Sequence, residues 1–205
     1  MTSALTAPVL RVSELSKAYN GVLALDGVDL EVRPGEVHAL LGGNGSGKST
    51  LIKVLAGVVD AEPGATLQLG ASTQDLHGWT SEKAYAAGLR FVHQQPAVFS
   101  DLSIAENIAF GTTFPKHRGG KIDWKSLNAR TADLLELFGV DATPTTMLGA
   151  LRAADRTRIA IIRAVQDRDD ATSGVLVLDE PTAALPAEEV EHLLDGLRRY
   201  ARAGQ

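Results

Sequence analysis

The run Gly42-Gly43-Asn44-Gly45-Ser46-Gly47-Lys48-Ser49-Thr50 constrains this chain more than any other stretch. It fits G-x-x-x-x-G-K-[ST], a loop that binds phosphate. Its flanks suit that pattern. Val37–Leu41 reads as an apolar strand entering the loop, and Leu51, Ile52, Val54 and Leu55 give the helix that leaves it an apolar face. Glycines let the backbone curl until successive N–H groups point inward, making a concave anion site. The helix adds the positive end of its dipole. Gly42 through Thr50 are therefore the candidate nucleotide-binding residues, with Lys48 expected to reach the β- and γ-phosphates and the Ser49 hydroxyl to ligate Mg²⁺.

Length and charge narrow the class further. At 205 residues the chain can bury one full core, or one core carrying an inserted lobe. A net charge of -5 and a pI near 5.5, with no block of Lys and Arg, argue against broad nucleic-acid binding. No apolar run approaches 18 residues, and Met1–Val9 lacks the basic and apolar regions of a signal peptide. The chain has no cysteine, which excludes disulfides and thiolate metal sites and fits a reducing, cytoplasmic setting. Its histidines (His38, His77, His93, His117 and His192) show no ligand spacing.

Along the chain, Val9–Val12, Val28–Val32, Thr66–Leu69 and Leu89–Val92 read as strands, and Pro34-Gly35 as a hairpin turn into Val37–Leu41. Ser81–Ala87 and Ser103–Ala109 read as short helices. A long amphipathic helix follows Asp123, its N-cap, with Trp124, Leu127, Leu134, Leu135 and Phe138 at helical spacing. Ala154–Val165 is a further helix, and Val175–Leu178 an uninterrupted apolar strand of the kind buried on both faces. Pro186 opens a last helix, with Glu188 and Glu189 in its first turn and Arg198, Arg199 and Arg202 toward its end, matching the dipole. Strands at both ends with helices between them suggest an α/β core carrying a helical insertion.

The second chemical signal is Val175–Leu178 followed by Asp179 and Glu180. A buried strand ending in Asp can set that carboxylate beside the phosphate loop as a Mg²⁺ ligand. The next residue points the other way and can face the γ-phosphate as the general base for an attacking water.

With these residues in view, Gly42–Thr50, His93-Gln94-Gln95-Pro96 and Leu178-Asp179-Glu180-Pro181-Thr182-Ala183 resemble the ATPase domain of ABC transporters, in order and spacing across nearly the whole chain. Leu15–Tyr19 with Ala24–Val28 resembles the stretch that precedes the phosphate loop there. Val37–Leu41, Ala105–Ile108 and Ala183–Leu185 resemble the carbohydrate-importer branch. The resemblance implies an α/β P-loop NTPase (RecA-like) core with an antiparallel β subdomain and an inserted helical subdomain. It places the nucleotide-binding core at 1–94 and 171–205 and the helical subdomain at 95–170. It assigns Tyr19 to stacking on adenine, and Gln94 to sensing the γ-phosphate and Mg²⁺ as a catalytic and metal-site residue. ATP and Mg²⁺ are the implied cofactors. The implied partners are a second ATP-binding domain and membrane permease subunits, with the chain at the cytoplasmic face of the membrane. Powering import of a solute, a sugar by the branch, is the implied function.

Three departures qualify this. Where the family has Leu-Ser-Gly-Gly-Gln, this chain has Leu151-Arg152-Ala153-Ala154-Asp155. Because such domains sandwich ATP head to tail, that change weakens the partner's site rather than the one built on Lys48 and Glu180. Pro186 stands where the family's aspartate follows Ala183-Ala184-Leu185, a change the carbohydrate branch often shares. The chain reaches Gln205 where the family's next strand and switch histidine are expected, and His192 does not replace that histidine; the expectation is the first ATPase half of a longer protein. Two rivals stay open: a regulatory half-domain that binds ATP without turnover, and an ABC-type ATPase outside transport. The latter usually carries long coiled-coil or basic insertions, which are absent here. No guanine-reading motif or phosphoryl-acceptor site is recognisable.

Overall fold

The computed structural model describes residues 7–92, 98–110, 114–116, 120–166, 174–181 and 185–202. Gln94, with His93, Gln95 and Pro96, and Thr182-Ala183-Ala184 lie outside the described residues. The chain divides into two compact units: Met1–Phe91 with Asp170–Asp179 and Ala201–Gln205, and Val92–Asp169 with Glu180–Tyr200.

The first unit is built on a four-stranded antiparallel sheet in the order β2-β1-β3-β4, from β1 (Leu10–Tyr19), β2 (Val22–Val32), β3 (Thr66–Leu69) and β4 (Ser72–Asp75). Its hairpin turns at Asn20-Gly21, both at positive φ (50° and 81°), with Tyr19 opposite Val22. Asn-Gly is the pair that a tight two-residue hairpin favours. Pro34-Gly35 is also a turn, closed by Glu36 N–H to Arg33 O, but no strand follows it. Register shifts between Val12 and Leu15 let both side chains, with Leu10, face one core. β4 is polar and wholly exposed, an edge strand that apolar patterning could not reveal.

Helix α1 (Lys48–Leu55) lays Leu51, Val54 and Leu55 into that core beside Leu67, Leu76, Trp79 and Leu89. The Trp79 indole N–H donates to Leu55 O at 3.0 Å and fixes the helix's far end. Just beyond, Gly57 (φ 65°) passes so close to the start of α2 (Ser81–Ala86) that a Cβ would stand 2.2 Å from the Thr80 carbonyl carbon. Gly57→Ala must therefore move backbone and adopt a left-handed conformation. We expect a loss of about 3 kcal/mol, or roughly 6–12 °C in Tm, read by thermal unfolding.

β5 (Leu89–Val92) and β6 (Val175–Leu178) form a two-stranded sheet, entered by a Val175 N–H bond to Gly88 O at 3.3 Å. Two expectations fail here. Val37–Leu41 is not a strand, and its Val37, Leu40 and Leu41 are 46%, 41% and 87% exposed. β6 is half-buried at every position rather than buried on both faces. The reason is shared: a strand's burial comes from neighbours, and β5 is the one ladder partner of β6 among the described residues.

The second unit is helical. α3 (Ile104–Ala109) opens with a capping box in which Ser103 and Glu106 satisfy each other's backbone N–H groups. The Ser103 hydroxyl and N–H hold the Glu106 carboxyl below the ordinary carboxylate range. Asn107, fully buried, bonds the backbone of Phe99, Leu102 and Ser103 and pins the segment ahead of α3. α4 (Trp124–Phe138) is N-capped by Asp123, which accepts from Ser126 N–H at 3.0 Å. A short 3₁₀ turn (Leu148–Ala150) leads to α5 (Ala153–Gln166), whose Ile159, Ile161 and Ile162 are buried. α6 (Ala187–Arg202) buries Leu193 and Leu197 and leaves His192 exposed.

Candidate functional site

The phosphate loop is shaped by its glycines. Gly47 is the N-cap of α1 at φ 89°, in the left-handed region, and has no side chain with which to cap the first-turn N–H groups. Those N–H groups are left for an anion. A Cβ on Gly47 would lie 2.6 Å from Ala24 O and 2.8 Å from Leu25 Cδ2, so β2 packs directly against the loop. One on Gly42 would lie 2.5 Å from Ser46 Oγ, whereas Gly43 and Gly45 face open space. Tight at its base and open above, the loop leaves room for a phosphate chain.

Lys48 follows the cap. Its Nζ donates to Gly42 O at 2.6 Å, to Gly43 O at 2.8 Å and to Ser46 Oγ at 3.4 Å. The ammonium is thus folded across the loop, held by carbonyls that an anion can replace. The chemistry suits a polyphosphate with a divalent cation: one fixed ammonium, a helix N-terminus without a cap, and the exposed Ser49 hydroxyl in its first turn.

Tyr19 sits at the tip of the β1–β2 hairpin, the same hairpin that supplies Ala24 and Leu25 to the loop. The residue is 43% exposed, with Lys17 Nζ 5.6 Å from the ring centroid. An exposed aromatic face on that hairpin is available for stacking. Asp179 directly follows β6 and is half-buried. Glu180 is exposed at φ 48°, a left-handed conformation unusual outside glycine, asparagine and aspartate. Gln94 lies outside the described residues.

Leu151–Asp155 spans the junction between the 3₁₀ turn and α5. Arg152 and Asp155 stood out in the sequence, Glu189 was read there only as a first-turn acid of the last helix, and Arg158 was passed over; the structure gathers all four. The i, i+3 spacing of Asp155 and Arg158 was the one signal available for part of that cluster. Among the described residues no cluster of His, Asp and Glu is arranged to hold a metal by itself, and no helix is long and apolar enough to cross a membrane.

Residues 25–183 match the ABC transporter family. Over 96% of its length the chain is 40% identical to the ribose import ATP-binding protein RbsA 1 of Agrobacterium fabrum, covering 38% of that protein. It is 43% identical to RbsA 2 of Streptomyces avermitilis over 97% of its length, again covering 38% of the relative. The chain therefore spans well under half the length of these relatives. In structure it is similar to an ATP-binding cassette of an ABC transporter in its ADP conformation (TM-score 0.78, 22% identity, 97% of this chain and 79% of that one). It is also similar to cbiO1 from Clostridium perfringens, part of the cbiONQ ABC transporter complex (TM-score 0.77, 26% identity, 96% and 74% coverage). These likenesses agree with the P-loop NTPase fold with an antiparallel sheet that the motifs implied. By its phosphate loop, its fold and its match over residues 25–183, the chain belongs to the ABC transporter family.

Proposed function

We infer that this chain binds ATP with Mg²⁺ and hydrolyses it as one half of a paired ATPase that powers solute import, with a sugar as the cargo. The observation that carries the reading is the loop of Gly42–Thr50, with its uncapped helix start at Gly47 and its ammonium laid across the cradle. Both relatives quoted above are named as ribose import ATP-binding proteins, which supports the branch.

The roles follow from chemistry. The first-turn N–H groups of α1 and Lys48 bind and orient the phosphates, and Tyr19 offers its ring to the base. Ser49, Asp179 and Gln94 hold the Mg²⁺, which when bound neutralises charge on the phosphate oxygens. Glu180 takes the proton of the attacking water. Residues 1–94 and 171–205 serve as the nucleotide-binding core, and 95–170 as the helical subdomain that meets permease subunits at the cytoplasmic face of the membrane. A second ATP-binding domain with an intact signature completes the site over this loop.

Arg152 and Asp155 favour one rival, a regulatory half that binds without turnover. The two are separated by measuring phosphate release from the chain alone and mixed with an ATP-binding domain bearing an intact signature. We expect slow release alone and stimulation of about tenfold or more in the mixture. ATP bound without stimulation by the partner supports the regulatory reading instead.

A further inference from the structure

At the start of α5, four side chains close a ring of alternating charge. Asp155 touches Arg158 (Oδ1 to Nη1, 2.7 Å) and Arg152 (Oδ2 to Nε, 3.5 Å). Glu189, on α6, touches the same two arginines: Oε1 to Arg152 Nη1 at 3.6 Å and Oε2 to Arg158 Nη2 at 3.7 Å. Each carboxylate therefore faces both guanidiniums, and the ring is neutral. One edge is buried and the other wet: the Arg158 side chain is 4% exposed and Glu189 19%, while Arg152 is 77% exposed. Arg156 ties the preceding turn to the same place, donating from Nε to Leu151 O at 3.0 Å and from Nη2 to Gly149 O at 2.7 Å.

We propose that this ring is a clasp that commits the start of α5 to α6 instead of to a phosphate from another molecule, with Glu189 as its positioning residue. The proposal deepens the reading above, in which this helix start faces the partner's nucleotide. An incoming phosphate at Arg152 meets two carboxylates within 4 Å of the guanidinium, and their negative charge opposes its own. The carboxylate of Asp155 already lies in the first turn of α5, where the dipole favours negative charge. Nor can the clasp open cheaply. Withdrawing Glu189 leaves the buried Arg158 with Asp155 alone, and the cost of an under-compensated buried guanidinium falls on the α5–α6 contact. Two of the four members of the ring, Arg152 and Asp155, lie in the segment Leu151–Asp155 that departs from Leu-Ser-Gly-Gly-Gln.

Amide hydrogen exchange on the full chain without nucleotide tests this, independently of whether ATP is hydrolysed. In Glu189→Gln we expect exchange at residues 156–160, the first hydrogen-bonded amides of α5, to rise about tenfold or more while the bonded α1 amides keep their protection. Glu189→Asp, which keeps the charge, recovers most of that protection, and Arg152→Gln at the exposed edge gives a smaller change. A uniform rise in both helices marks general destabilisation and overturns the proposal. Unchanged exchange at 156–160 in Glu189→Gln overturns it too.

Discussion

Glu180→Gln is expected to lower turnover by about 10²–10⁴, measured with a partner domain that bears an intact signature. ATP affinity should stay within about threefold, because the change removes proton-accepting capacity rather than a phosphate contact. The backbone makes this substitution informative. Glu180 sits at φ 48°, where any residue with a Cβ is strained, and glutamine carries the same strain with the same side-chain length. The folded state is therefore perturbed little, and a lost rate reports the carboxylate itself. Equal turnover in the two proteins would move the base elsewhere.

Gly47→Ala is expected to abolish nucleotide binding at working concentrations, with affinity falling about 100-fold or more, equivalent to about 2.7 kcal/mol. Two costs coincide at this position. Alanine is strained at φ 89°, and its Cβ would overlap Ala24 O at 2.6 Å, a backbone atom of β2 that cannot swing aside. The loop must lift away from β2, which tilts the first-turn N–H groups of α1 off the phosphates. The apolar face of α1 stays anchored in the core by Leu67 and Leu89, so far-ultraviolet circular dichroism should stay close to that of the parent. A parallel change at Gly43, where a Cβ meets nothing within 4 Å, should cost far less.

Legibility in the sequence followed the range of the forces involved. The phosphate loop was readable because its pattern is a list of local backbone demands, and Gly47 meets one of them with its left-handed φ. The cap at Asp123 was readable for the same reason, since it satisfies an N–H group three residues on, whereas Ser103, read as the first residue of its helix, turned out to be its cap. The Asn20-Gly21 hairpin carried a local signal too, which was passed over because only Val9–Val12 and Val28–Val32, far from that turn, read as strands. What sequence could not supply was company. Val37–Leu41 has a strand's composition without a paired neighbour, β6 has a core strand's composition with half its burial, and β4 pairs despite having no apolar pattern. The ring around Arg158 was hidden for a related reason: Glu189 meets it only through the packing of α6 on α5.

Calorimetric titration of Mg²⁺-ATP into the full chain, beside Gly47→Ala, tests most directly whether this loop holds a nucleoside triphosphate. The geometry of Gly42–Thr50 predicts saturable binding near one equivalent, with a Kd of about 10⁻⁶–10⁻⁴ M for the parent and no measurable saturation for the variant. A folded parent that takes up no ATP, or a variant that binds as tightly as the parent, would contradict it.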